Sequence, residues 1–508
     1  MCDTGFDSED DVSVVSAISA FARAEAAAAA HRLAAIHALM ELRVCDDDER
    51  ALWACDTWDA CAAEIGAALG ISGRKAFGQM HFALAMHVRL PRVFGLLRAG
   101  VISARTASII SWRTRMVIDD YANAAIDAEI ATRAERWGAL SEARLDVEID
   151  KVLAEHDPDA VAAFEAAARG RDVQFGKPED ETGTCSMWGR IYSTDAALIR
   201  KRVAQLTRHL CGDDPRTAGE RRSDALGAMA AESGPLACRC GKPECVGATV
   251  KPSRSPAVIH VLADERAVAA ARAGIPKETR QTSQNSSECV TVPDPAARAA
   301  GASAQDPSAS PAATPTSARR PAAVLQGGGI VPQPLLRELL LSGAAVKPLT
   351  PPPQTPEPGY HPSAALAAFV RTRDMFCRFP GCSTPAQFCH IDHAIPYPVG
   401  PTHPSDLRCL CRKNHLLKTF YVGEGGWSDV QHPDGSITWT APTGHTYTTH
   451  PGSRIVFPDW DTTAPLPNLA PSSTPSLDKG VQMPRRRRTR EEDRLQRIKS
   501  RRAKRDTS

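Results

Sequence analysis

Apolar positions recur at helical spacing through the first third of the chain. Residues 11–43 (DVSVVSAISAFARAEAAAAAHRLAAIHALMELR) predict one long amphipathic helix, rich in Ala and Leu. Residues 61–88 repeat the pattern with a break at Gly70. There Gly70 suits a left-handed turn and Ser72 suits the cap of the next helix. The piece 64–72 has the form of the first helix and turn of a helix-turn-helix, with a plain helical hairpin as the alternative. Further helices are predicted over 91–97, 103–113, 117–137 and 141–156. From Arg171 the period shifts to two. Runs 173–175 and 185–192 alternate like a hairpin around a connection rich in Lys, Pro, Glu, Asp and Gly. Helices return at 195–210 and within 213–232, and a strand is predicted over 257–262.

Beyond residue 276 the pattern dissolves. Residues 277–325 are dominated by Pro, Ser, Ala, Thr and Gln, too polar to offset chain entropy by burial, and predict a disordered linker. A connector, 326–360, carries a short helix at 334–341 and a proline-rich spacer at 347–359. A helix over 363–373 leads into two β-prone runs, 391–395 and 407–411, and then a helix bearing His415 and Lys418. Runs 437–440 and 445–449, joined by Pro442-Thr443-Gly444, predict a hairpin that extends the preceding sheet. The expected class is α+β. It comprises a mainly helical domain (1–276), the linker (277–325), the connector (326–360), a small strand-strand-helix module (361–425), a hairpin extension (426–458) and a disordered basic tail (459–508).

Charge changes this picture at the ends. The net charge of +2 conceals an acidic N-terminus and a strongly basic C-terminus, which holds Arg485, Arg486, Arg487 and Arg488. Such asymmetry points to nucleic acid, with a solvated charged tail as the plain alternative. The start, MCDTGFDSEDD, has neither the basic nor the apolar segment of a signal peptide, and no run of about 20 apolar residues is expected to span a membrane. Fifteen cysteines, an odd number partly clustered with His, fit reduced thiols in the cytoplasm with local metal sites better than a secreted disulfide framework.

Two cysteine groups stand out. Cys238-x-Cys240-x4-Cys245 surrounds a tight turn and offers three thiolates to Zn2+, with His260 as a candidate fourth ligand. Cys377 and Cys382 flank Phe379-Pro380-Gly381, and Cys411 follows on the second strand. The remaining ligand is open. The position three after Cys411 is Asn414, and Cys409, Cys389 and His390 are alternatives. Between these thiols lies Asp392-His393, with His415 downstream. A carboxylate and two imidazoles near thiolates are the groups needed to hold metal ions and to cut a phosphodiester.

The run R-x-R-D-x-x-C-R-F-P-G-C, then C-x-I-D-H, L-x-x-L-C and H-x-x-K, resembles an HNH endonuclease domain of the cysteine-rich subclass. With the helical domain before it, Tyr360 and Pro362, and Gly426-Trp427 after it, the chain resembles the thirteen-E-twelve repeat family. The resemblance covers 358–458 closely and 15–275 loosely. It implies a ββα-metal fold with His393 as general base and Asp392 and His415 as ligands to Mg2+ or Mn2+. It further implies Cys377, Cys382 and Cys411 on structural Zn2+, and Arg412 and Lys418 on DNA phosphates. Two departures are visible. Asp406 stands where the family has the Asn that braces the base-carrying loop, and an ionised Asp cannot donate a hydrogen bond. Asn414 replaces a zinc-type ligand. The resemblance implies a DNA endonuclease; the alternative is a catalytically degenerate, zinc-containing nucleic-acid-binding protein.

Overall fold

The computed structural model describes residues 10–44, 49–137, 140–168, 172–178, 184–250, 260–273, 323–326, 329–341, 343–352, 354–423, 425–464, 467 and 482–503. Helices and small antiparallel sheets make it an α+β chain. Helix α1 (Asp11–Arg43) is opened by the Asp10 carboxylate, which accepts from the Val12 amide. Its C-terminal half buries Ala26, Ala29, Ala30, Leu33, Ile36 and Met40 against α3 (Gly73–Leu84) and α4 (Pro91–Arg98). Alanines on this face let the helix axes approach closely. The N-terminal half leaves Val12, Val15, Ile18 and Phe21 exposed. Among the described residues, α1 is the one helix long and apolar enough to cross a membrane, with mean hydropathy 1.3. Arg23, Glu25 and Arg32 interrupt it, so it holds no unbroken run of about 20 apolar residues and qualifies by length and average composition alone.

Helix α2 (Thr57–Leu69) opens with a capping box between Asp56 and Asp59 and closes at Gly70, which takes φ +62°. Ser72 caps α3 as its side chain predicts. Helices α5 (Ala104–Arg113), α6 (Asp120–Ala134) and α7 (Glu142–His156) follow. Helix α6 starts three residues later than expected because Asp119 caps it, accepting from the Ala122 amide. Pro158 opens an eighth helix, α8 (Pro158–Ala168), which the sequence reading lacks.

The predicted hairpin forms as β1 (Asp172–Pro178) and β2 (Cys185–Arg190). Helices α9 (Ser193–Thr207) and α10 (Ala218–Ala230) then pair around a small core of Val203, Leu206, Ala225 and Ala228. Strand β3 (Val261–Ala263) pairs with β4 (Ala323–Leu325), and both pack with α11 (Glu265–Ala273) and α12 (Gln333–Leu341). Ala323–Leu325 thus belongs to a sheet, not to a linker. Most of the predicted linker, 277–322, lies outside the described residues.

Helix α13 (Ala364–Asp374) leads to an antiparallel pair, β5 (Cys389–His393) and β6 (Leu407–Cys411), and then α14 (Arg412–Phe420). Buried Asp374 organises this unit. It pairs with Arg373 at 2.8 Å and Arg378 at 3.0 Å and accepts the Cys409 amide at 2.7 Å. Arg373 in turn donates to the carbonyls of Pro404 and Leu407. The predicted hairpin, β8 (Ile437–Thr440) and β9 (Thr446–Thr449), does not extend the β5–β6 sheet. It joins β7 (Ser428–Gln431) in a separate three-stranded sheet. Buried Trp439 stacks edge-on against Phe379, 5.0 Å between centroids, so this sheet covers the module by side-chain packing. Part of the tail expected to be disordered is a docked helix, α15 (Arg490–Ala503), whose Ile498 enters the main helical core. Residues 468–481 of that tail lie outside the described residues.

Candidate active site and cysteine clusters

Strand β5 places Asp392 opposite Arg408 and His393 opposite Leu407 on β6. One turn into α14, His415 returns over the strands. Its Nε2 lies 3.3 Å from Asp392 Oδ1. The other oxygen of Asp392 accepts from Lys418 Nζ at 2.7 Å and from Arg408 Nε at 3.3 Å. Burial opposes the Asp392 charge. The His415 hydrogen bond and the Arg408 and Lys418 cations outweigh it and hold the carboxyl well below its usual range. Arg408 is itself fully buried, ion-paired also to Asp429 and set over the Trp439 ring.

His393 occupies the end of β5 and is buried. Its ring lies near-parallel to Tyr360, 5.2 Å between centroids. Nε2 is 3.1 Å from the Thr402 hydroxyl, and that hydroxyl donates to the Gly359 carbonyl at 2.6 Å. A hydroxyl has one hydrogen, so Thr402 must accept from His393 Nε2–H. The lone pair of the neutral ring therefore sits on Nδ1. Burial pushes the imidazole below its ordinary value, so it stays neutral at pH 7.

Asp406 precedes β6. Its Oδ1 accepts the Ile395 amide at 2.9 Å, and its main-chain oxygen accepts the Ala394 amide at 2.6 Å, bracing the turn that follows His393. Its Oδ2 is buried without a hydrogen bond among the described residues. Burial pushes this carboxyl up to about 7, with the Ile395 amide opposing. A protonated carboxyl can donate, so the expectation of a pure acceptor is too simple for this residue.

Sulfurs of Cys377, Cys382 and Cys411 lie within 4.8 Å of one another. The Cys411 amide and the Asn414 side chain each donate to Cys377 Sγ at 3.3 Å. Hydrogen bonds from Cys377 and Cys411 pull the Cys382 thiol far down, while burial pushes Cys377 up and the Cys377 and Cys382 sulfurs push Cys411 up. Cys409 faces the Asp374 side, and Cys389 bonds the Thr384 and Pro385 carbonyls. Cys409 does not join the trio, nor does His390, whose ring neighbours that of His415; Cys389 lies outside the three-sulfur group, but its thiol adjoins that of Cys377. In the second group, Cys238, Cys240 and Cys245 converge as expected, but the fourth member is Cys211 and not His260.

Residues 20–374 match the family described as "Domain of unknown function (DUF222)". The chain belongs to this family. The DUF222 match ends at Asp374, the last residue of α13, so the β5–β6–α14 unit falls beyond it. Across nearly its whole length the chain is similar to "Uncharacterized protein Rv3776" of Mycobacterium tuberculosis, 48% identical over 97% of this chain and 90% of that one. "Uncharacterized protein Rv2100" of the same species is 48% identical over 97% and 88% of the two chains. "Uncharacterized protein in est 3'region", also from M. tuberculosis, is 44% identical over 71% of this chain and 96% of its own. No solved structure matches.

In this DUF222 protein the residues predicted to meet phosphate divide sharply. Arg412 is exposed on α14. Lys418 is not: it is drawn inward to Asp392 and to the His393 carbonyl. Arg486 donates to Asp56 and to the Trp53 carbonyl, and Arg485 pairs with Glu49 at 3.3 Å. Arg487 and Arg488 remain exposed. The α3 face that a helix-turn-helix would offer to DNA is instead approached by the tail. Arg490 lies over Phe77, 4.7 Å from its centroid. Sequence reasoning missed Thr402, Arg408, Asp429 and Cys211. For Arg408 a signal existed: a cation inside a buried strand run, level with Asp392. Thr402 and Cys211 carry none.

Proposed function

We propose that this DUF222 protein is a metal-dependent endonuclease that hydrolyses DNA phosphodiester bonds at an HNH-type, ββα-metal site. One observation carries the reading. Asp392 Oδ1 and His415 Nε2, from a strand and a helix, stand 3.3 Å apart beside a buried, neutral imidazole. Adjacent ligands of an octahedral Mg2+ or Mn2+ at ~2.1 Å are about 3 Å apart, so the pair fits such an ion. When bound, the ion neutralises charge on the scissile phosphate and on the leaving oxygen. His393 is the base. Thr402 fixes its Nε2–H, and Nδ1 accepts the proton of the attacking water. Asp406 holds the turn behind it through the Ile395 amide. Cys377 and Cys382, on the turn before β5, and Cys411, at the end of β6, would hold structural Zn2+, with Asn414 beside Cys377. Exposed Arg412, Arg487 and Arg488 meet backbone phosphates, and the protein works in the cytoplasm, where the DNA is.

The test is cleavage of supercoiled plasmid, and of RNA in parallel, with Mg2+ or Mn2+. Cutting should fall at least ~100-fold in His393→Ala. Undiminished cutting in that variant would overturn the proposal. One feature favours a second reading. Lys418 and Arg408 already compensate the Asp392 charge, as in a catalytically degenerate, zinc-containing nucleic-acid-binding protein. That reading predicts salt-sensitive binding of DNA with no metal-dependent cutting.

A further inference from the structure

We infer that Cys211, Cys238, Cys240 and Cys245 form a second, closed zinc site that staples the α9–α10 unit. The four sulfurs all lie within 4.8 Å of one another, and Cys211 and Cys238 are 3.5 Å apart. Four thiolates at ~2.3 Å from a tetrahedral Zn2+ have sulfurs about 3.8 Å apart. The cluster is therefore already close to the size of the ion's shell. Its members come from two separate segments, the turn after α9 and the knuckle that follows α10. Closure thus ties together positions 27 residues apart.

The backbone is shaped for this closure. Cys238 donates its amide to the Gly247 carbonyl at 2.8 Å, and Cys245 donates to Lys242 at 3.1 Å, with Gly241 at φ +72° in the turn between. Gly247 packs so tightly on the first segment that a Cβ there would lie 2.1 Å from the His209 carbonyl oxygen. Amides of Asp213 and Lys242 point at the sulfurs of Cys211 and Cys240. Around the cluster, the buried Asp214 carboxylate takes both Arg216 and the Arg239 amide, holding the knuckle against the turn.

The energetic reason lies in the core. Four buried residues, Val203, Leu206, Ala225 and Ala228, hold the unit, two of them alanines. A core this small does not by itself offset the entropy of ordering the segment, and small units of this kind are fastened by disulfides or metal. An all-thiolate set selects zinc over Mg2+ or Mn2+. A shell of four protein ligands leaves no position for water, so the ion is structural. The site is separate from the Cys377 cluster and from the proposed nuclease centre.

The experiment counts metal in the full chain. The variant Cys377→Ser/Cys382→Ser/Cys411→Ser removes the other cluster and should retain about one equivalent of zinc. Replacing that zinc with Co2+ should give the absorption of a tetrahedral thiolate site, and adding Cys238→Ser should abolish it. A folded triple variant that holds no zinc and takes up no Co2+ overturns the inference. So does zinc that survives Cys238→Ser and Cys245→Ser, or acid-labile sulfide in place of zinc. If the triple variant fails to fold, the native chain decides. Cys211 and Cys245 should resist alkylation until a chelator is added, while exposed Cys185 reacts at once. Alkylation of Cys211 and Cys245 at the Cys185 rate without chelator rejects the site.

Discussion

Asp406 couples the brace behind His393 to pH. Its carboxyl rises from 3.8 to about 7 on folding, because burial disfavours the charge more than the Ile395 amide favours it. A raised folded value means that the fold prefers the protonated acid. Its contribution is complete below about 3.8, the unfolded value, and is lost as pH rises through about 7. Asp406→Asn supplies a donor and an acceptor at every pH. The variant should match the parent in thermal stability near pH 4 and exceed it by up to about 4 kcal/mol near pH 9. Plasmid cutting at alkaline pH should rise with it. A stability difference that does not change with pH would show that the parent carboxyl titrates normally. Asp406, Asp392, His393 and His415 could be singled out because their spacing resembles a family motif, and the structure brings Asp392 and His415 together. Thr402 was not, since it reaches His393 from a loop whose path no local pattern encodes. Cys211 was invisible for a related reason: nothing in a spacing of 27 residues marks it as a partner of Cys238.

Between elements, legibility followed the source of the order. Strand β6 was readable to the residue as a short run of Leu and Cys, and it is buried on both faces, Arg408 included. Helix α8 was not among the expected helices, although proline at the first helical position is preorganised for a start. Strand β7 mixes Ser, Asp, Val and Gln, and its pairing with β8 is set by the neighbouring strand and not by its own propensity. The hairpin's location was misjudged because Trp439 turns inward onto Phe379 and Trp427, which favours face packing over edge pairing. What joins α13 to β6 is the buried Arg373–Asp374–Arg378 group. Asp374→Ala would leave two buried guanidinium groups without their carboxylate and remove the acceptor of the Cys409 amide. A loss of ~3–5 kcal/mol is expected in denaturant unfolding. A loss under ~1 kcal/mol would mean that the two arginines find other partners.

The parts of the molecule meet at the N-terminus of α2. There Asp56 and Asp59 receive Arg486 and Arg490 from the tail, and Lys413 of α14 reaches Asp59 at 2.7 Å. Arg502 adds a two-pronged pair with Asp157, and Ile498 closes the helical core. The tail arginines therefore fall into two classes by geometry, not by sequence, where they form one run. Arg486 and Arg490 are committed to the fold; Arg487 and Arg488 face solvent. If the chain binds DNA as proposed, only the second class can displace counterions while the tail stays docked. Replacing Arg487 and Arg488 with Ala should lower the log–log salt slope of DNA binding by about 2 and leave the melting temperature in place. Replacing Arg486 and Arg490 should do the reverse, because it strips two carboxylates at a helix cap of their partners. Equal slope changes from both pairs would mean that the tail leaves the helical domain to bind DNA, and that docked and DNA-bound tail compete.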